Sequence, residues 1–342
     1  MFAPAPHRRT LPAALRDLEH PKPGVRQDAL RDLVHYGEEH RDEVVRALGK
    51  ALGDEAFQVR GAAALALADL EGTEALPALL VAIEDEHAYV RQMALTALGE
   101  IGDGRARERL RRALRDERPE VRFQAVIAFC RIAPDEAVAT LLAASRDEDA
   151  NIRYIALRVA EELAHKEEER GDWAPELLDR AVTMLRDEDA KVRIVAAVVL
   201  GRAGRREGVP VLAELLAGRI TTNEPEDEAA AVELAGELGL HELQGDLERR
   251  AFGFRRFTKQ TFAWQARTAL ARLGHARARS EILRELRSFS RDKRTMAAFA
   301  AGQAGIAEAR TELDRMRDRP DFADPTVVAE ALAKLAPTDG TP

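Results

Sequence analysis

One short pattern recurs along the chain and constrains the fold more than any other feature. In five places an arginine follows an aspartate by six positions, and successive arginines are 31, 31, 31 and 40 residues apart. The pairs are Asp54 and Arg60, Asp85 and Arg91, Asp116 and Arg122, Asp147 and Arg153, and Asp187 and Arg193. A fixed period of this length is typical of repeat architectures, in which each repeat stacks on its neighbours.

Each repeat is predicted to form two amphipathic helices joined by a tight turn at the aspartate. Before the turn, apolar residues recur at i and i+4, as at Leu79 and Ile83. After Arg91, the small and apolar positions are Ala94, Leu95, Ala97, Leu98 and Ile101. Gly102 then closes the second helix. Ala and Leu carry most of the apolar content, and aromatic residues make up only 5%, so we expect an all-α fold.

These elements resemble the HEAT repeat, in the short form found in phycobilisome-lyase-like proteins. The resemblance rests on the aspartate, the Val-Arg pair and the Ala-Leu-Gly element, which recur in that order. It implies a right-handed α-solenoid, or superhelix, of about ten helix pairs in a single array over residues 1–342. Regular repeats are expected over 10–204 and irregular ones over 205–342. It also implies that the five Asp and Arg pairs form a structural ladder between successive repeats.

The sequence contains no motif that would indicate a catalytic mechanism. The sequence lacks a G-x-S-x-G elbow, a phosphate-binding G-x-x-x-x-G-K-[ST] loop and an H-E-x-x-H motif. His241-Glu242 is the only His-Glu pair, whereas deoxyhypusine hydroxylase, a HEAT-like enzyme, builds its di-iron site from several. Cys130 has no evident histidine partner. We therefore expect no catalytic residues, no metal and no cofactor, with a bilin-lyase activity as a remote alternative.

A row of apolar residues departs from the repeat. The first, second and fifth positions after each arginine are expected to face the concave surface of the array. In the three successive repeats that contain Arg122, Arg153 and Arg193, apolar or aromatic residues occupy the first or fifth position after the arginine. They are Phe123, Ile127, Tyr154, Ile194 and Val198. Contiguous exposed apolar residues usually mark a partner site. The alternative is that the curvature of the array turns these positions into its interior.

A basic and aromatic segment, residues 249–267, is the second departure. It holds four of the eleven phenylalanines and one of the two tryptophans, Trp264. From Arg249 to Arg294 the net charge is +11, although the whole chain carries −8. Such a segment suits an acidic protein partner or a single-stranded nucleic acid. The alternative is that its phenylalanines fill the core of an irregular repeat. The candidate contacts are Arg255, Arg256, Lys259 and Trp264.

The leading hypothesis is a non-catalytic scaffold that binds a protein segment on its concave face, with nucleic-acid binding as the alternative. No stretch of about 18 apolar residues occurs and the N-terminus has no apolar export segment. A single cysteine, Cys130, suits a reducing compartment. We expect a cytoplasmic protein with no membrane partner.

Overall fold

The computed structural model describes residues 8–70, 73–166, 173–253 and 262–336. Within these ranges it contains twenty α-helices and no strand. The helices form ten consecutive pairs, so the prediction of an all-α fold with about ten helix pairs is confirmed. Where the structure describes the connections, they are short loops and 3-10 turns.

Odd-numbered helices are the first of each pair and even-numbered helices the second. The first helices are α1 (Leu11–Asp17), α3 (Arg41–Ala51), α5 (Leu76–Ala82), α7 (Arg107–Ala113), α9 (Ala137–Ala144), α11 (Pro175–Met184), α13 (Val209–Leu216), α15 (Gln244–Phe252), α17 (Ala276–Glu285) and α19 (Arg310–Arg317). The second helices are α2 (Pro23–Val34), α4 (Phe57–Asp69), α6 (Ala88–Ile101), α8 (Pro119–Ile132), α10 (Ala150–Lys166), α12 (Ala190–Arg202), α14 (Pro225–Glu237), α16 (Ala263–Arg272), α18 (Arg291–Gln303) and α20 (Pro325–Lys334).

The chain divides into two compact units, with the boundary between Leu177 and Leu178. In the first unit, α2, α4, α6, α8 and α10 pack one on the next, and in the second unit α12, α14, α16, α18 and α20 do the same. Leucines and alanines from both helices of each pair fill the cores. The single array over 1–342 and its division into regular and irregular repeats stay predictions.

Three residues of the predicted apolar row are buried, so the expectation that they face outwards is wrong. Tyr154 is buried in α10, and Ile194 and Val198 have no exposed surface in α12. The sequence of α12, AKVRIVAAVVLGR, is apolar almost all round, and a helix of that kind is enclosed on all sides. For these three residues the alternative interpretation holds: their side chains point into the interior of the repeats.

Candidate partner-binding groove

The recurring aspartates and arginines form a ladder in the first unit, in which the arginine of one repeat binds the aspartate of the next. The Arg60 guanidinium donates two hydrogen bonds to the Asp85 carboxylate of the next repeat, at 2.7 and 2.8 Å, and a third to the Asp54 carbonyl of its own repeat at 2.9 Å. The same rung joins Arg91 to Asp116 and Arg122 to Asp147. Arg26 extends the ladder backwards by binding Asp54 at 2.7 Å. Its groups are paired and mostly buried, which suits a structural role.

The two remaining arginines of the ladder also donate a hydrogen bond to the carbonyl of the aspartate in their own repeat. Arg153 donates to the Asp147 carbonyl at 3.0 Å, and Arg193 to the Asp187 carbonyl at 2.8 Å. The Arg60–Asp85 and Arg122–Asp147 rungs raise the pKa of the arginine and lower the pKa of the aspartate. Burial would raise the pKa of Asp85, but hydrogen bonds from Arg60 and the His87 amide hold that pKa below its ordinary value.

The ladder changes in the second unit. Arg294 donates to the Ser288 carbonyl of its own turn and to the Phe322 carbonyl of the next repeat, instead of to a carboxylate. One repeat earlier, 31 residues before Arg294, the arginine position holds Ala263. The aspartate that would face that position is replaced by Ser288. Both halves of this rung are therefore missing between the repeats that contain α16 and α18.

A cavity of about 300 Å³ opens on the second helices at this place. It lies across α14, α16 and α18, within the second unit. Its lining residues are Glu233, Glu237, Trp264, Gln265, Thr268, Ala269, Arg272, Met296, Phe299, Ala300 and Gln303. We call this cavity and its rim the α16–α18 groove.

The second helices differ at one position near this cavity. Three residues before a left-handed glycine, α12, α14 and α18 carry Gly201, Gly236 and Gly302, which touch the following second helix. A Cβ at Gly302 would lie 2.6 Å from the Ala331 Cα. In α16 this position is the buried Ala271.

Apolar side chains stay exposed in the groove. Met296 is 39% and Phe299 44% exposed, and the half-buried Trp264 forms the opposite wall. The Arg267 guanidinium lies 5.2 Å from the centre of the Trp264 ring. Arg267 also contacts the Glu281 carboxylate at 3.6 Å. The sequence pattern indicated Trp264 as a candidate contact but not Met296 or Phe299. These two residues occupy the second and fifth positions after Arg294, which are positions expected to face outwards, so the repeat register could have predicted them.

The rim of the groove is a row of paired charges. Arg202 contacts Glu233 at 3.1 Å and Glu237 at 3.5 Å, and Arg272 contacts Glu237 at 3.0 Å. Arg272 also donates to the Gln303 carbonyl at 2.7 Å. Glu237, Arg272 and Gln303 occupy the same position in successive repeats, two residues before a left-handed glycine. This end of the groove is therefore close to neutral.

The other predicted contact residues are not brought to this groove. Phe123 and Ile127 are half-buried on α8 in the first unit, where Ile127 lines a shallow depression beside Ile155 of α10. Arg255, Arg256 and Lys259 lie outside the described residues. Of the apolar and aromatic candidates, Trp264 alone lines the groove.

The cysteine and the potential metal ligands lie in surroundings that suit a structural role. Cys130 is buried, and burial raises the pKa of its thiol to about 12. Over the ranges that the structure describes, no three His, Cys, Asp or Glu side chains converge in a way that could hold a metal ion. Within those same ranges, no helix combines the length and apolar character needed to cross a membrane.

The stacked helix pairs define the class of protein as an all-α solenoid. A family model of HEAT repeats matches residues 10–87, 76–161 and 108–183, which together cover slightly more than half of the chain. The chain belongs to the HEAT-repeat family, as its sequence pattern predicted. A comparison with curated proteins gave no match.

The chain is similar to several solved structures, and YibA shares its fold. YibA of Escherichia coli is 21% identical, with a TM-score of 0.54 over 77% of this chain and 92% of YibA. The complex of CpcE and CpcF of phycocyanin lyase from Nostoc sp. PCC7120 is 19% identical, with a TM-score of 0.43 over 80% of this chain and 98% of that chain. At these identities the likeness concerns the fold alone.

Proposed function

We propose that this chain is a non-catalytic interaction scaffold whose second unit binds a segment of a partner protein in the α16–α18 groove. One observation carries the proposal: Trp264, Met296 and Phe299 surround an open cavity that no helix of the described ranges fills. Aromatic and methionine side chains are enriched in the buried centres of protein interfaces. Burying the exposed parts of these side chains under a partner would supply the main driving force.

The polar rim supports binding rather than catalysis. The carboxylates of Glu233 and Glu237 are already paired with Arg202 and Arg272, so they are better placed to orient a partner than to transfer protons. The buried, protonated thiol of Cys130 suits a reducing compartment, which supports a cytoplasmic location.

Site-specific photocrosslinking tests the proposal. A photoreactive phenylalanine analogue replaces Gln265 at the groove, and in a control protein it replaces Val138, which is exposed on α9. Both proteins are irradiated in nuclease-treated lysate of the source cells. We expect a discrete protein adduct from position 265 and none from position 138. The absence of a position-specific protein adduct would contradict the proposal.

A further inference from the structure

The exposed face of α18 continues beyond the groove, towards the turn before the helix. Phe289, in the turn between α17 and α18, is fully exposed. On α18, Arg291, Thr295 and Phe299 follow at intervals of four residues, and Met296 and Gln303 flank Phe299, so these residues share the outward side of the helix. Lys293 lies four residues before the buried Ala297 and approaches Glu285 of α17, so it lies on the side of α18 that faces α17. At a rise of about 1.5 Å per residue, Phe299 lies about 12 Å along the helix from Arg291.

This end of α18 is basic. Arg291 is exposed, and the side chains of Arg287 and Lys293 are 75% and 59% exposed. Three carboxylates oppose them: Asp292 on α18, Glu312, which is 3.4 Å from Arg287, and Glu285, which is 4.0 Å from Lys293. The sequence from 284 to 294 holds five Arg or Lys residues besides Asp292 and Glu285. The balance remains positive.

The corresponding turns of the first unit have the opposite character. The turns before α4, α6, α8 and α10 each carry an Asp-Glu pair, and the glutamates Glu86 and Glu148 extend into solvent. The turn before α18 has Ser288 and Phe289 in place of that pair. A basic turn with an exposed aromatic ring is thus a property of this repeat and not of the fold.

We infer that the groove selects an acidic, extended peptide segment with one apolar anchor, an inference that rests on the proposed function. The anchor packs among Trp264, Met296 and Phe299, and the segment runs along α18 towards Phe289. An extended chain advances about 3.3 Å per residue, so the distance of about 12 Å between the anchor and Arg291 corresponds to about three or four residues. A carboxylate at that distance faces Arg291, and Arg287 and Lys293 add positive charge nearby.

The charges favour a peptide over a nucleic acid. A polyphosphate chain carries negative charge along its whole length. The exposed cations of the α18 turn lie beyond one end of the groove, and the rim at the other end is close to neutral because Glu233 and Glu237 are paired with arginines. A peptide with carboxylates at one end and an apolar residue at the other matches both parts of this surface.

Selection from a random peptide display library tests the inference on the full chain. Three proteins are compared: wild type, the charge-reversed variant Arg291→Glu, and Phe299→Asp. A glutamate in the first turn of a helix suits its dipole, so the charge-reversed variant is expected to stay folded. Circular dichroism and thermal melting check all three proteins.

We expect wild-type protein to enrich peptides with Asp or Glu three or four residues from an aromatic or aliphatic residue. The charge-reversed variant should bind these peptides about tenfold more weakly and enrich Lys or Arg at the same distance. Enrichment without a charge preference, or of basic peptides by wild type, would overturn the inference while leaving the proposed function in place. Failure to enrich any peptide over Phe299→Asp would contradict the proposed function itself.

Binding of a fluorescein-labelled oligothymidylate is measured alongside. Wild-type protein is expected to leave its polarisation unchanged at physiological salt. Binding that is lost on Phe289→Ala and falls steeply with salt would assign this surface to single-stranded nucleic acid and overturn the inference.

Discussion

The guanidinium of Arg60 and the carboxylate of Asp85, which lie 25 positions apart in the sequence, form two parallel hydrogen bonds of 2.7 and 2.8 Å across the junction between two repeats. Asp85 also accepts a hydrogen bond from the His87 amide at 2.8 Å, which shapes the turn before α6. One carboxylate therefore joins neighbouring repeats and closes a turn. This double use explains why the aspartate and arginine recur together in the sequence.

The rung should be strongly coupled. We expect Arg60→Ala and Asp85→Asn each to lower the free energy of unfolding by about 3 kcal/mol, because each leaves a mostly buried partner uncompensated. The double variant should be much less destabilised than the sum of the two. Urea denaturation followed by circular dichroism gives the coupling energy. The exposed Arg31 and Asp28 pair is the control, with an expected coupling of about 0.3 kcal/mol. Additive effects at Arg60 and Asp85 would contradict the proposed rung.

The ladder also predicts a dependence of stability on acid. The pKa values of Asp85 and Asp147 are lowered in the folded protein, since hydrogen bonds from Arg60 and Arg122 outweigh the effect of burial. Their contribution should be complete above about pH 4, the unfolded value, and should be lost as the pH falls through the folded pKa values. Urea midpoints measured between neutral and acidic pH test this. The Asp85→Asn, Asp147→Asn variant should show a smaller loss over the same range, and an equal loss would count against the ladder.

The buried and exposed members of the apolar set should respond differently to the same substitution. Ile194→Asp places a charge in the core of α12 and should cost more than about 4 kcal/mol of stability. Phe299→Asp changes an exposed side chain and should cost less than about 1 kcal/mol. Urea denaturation of the two variants makes the comparison. A small effect at Ile194 would restore the original interpretation of that position as a partner contact.

Close helix packing at Gly302 should be sensitive to one added methyl group. A Cβ there would meet the Ala331 backbone at 2.6 Å, so Gly302→Ala should destabilise the protein by about 1 to 2 kcal/mol despite its better helix propensity. In Gly245→Ala the new methyl group has a nearest neighbour 4.0 Å away, and that variant should be neutral or slightly stabilised. Thermal melting of both proteins is the measurement. Equal shifts would contradict the close packing of α18 on α20.

The Cys130 thiol should be unreactive in the folded protein. Its pKa of about 12 leaves almost no thiolate at pH 8, and the side chain is buried. We expect negligible alkylation by iodoacetamide under native conditions and complete alkylation in concentrated urea, as measured by mass spectrometry. Rapid alkylation of the native protein would show that α8 opens readily.

The repeat register predicted some of the groove but not its location. Trp264 was a candidate from composition, and the rule for outward positions applies equally to Met296 and Phe299. The same rule failed at Ile194 and Val198. Position in a repeat states which way a side chain points, but exposure also depends on whether another side chain covers it.

The amino-acid sequence by itself determined the period, the helix pairs and the identity of the ladder residues, because these follow from local spacing and from side chains that recur in several repeats. Only the tertiary structure decided which apolar residues remain open to solvent. Exposure depends on which side chains the neighbouring helices cover: Ile194 and Val198 are enclosed in α12, whereas Met296 and Phe299 stay exposed on α18.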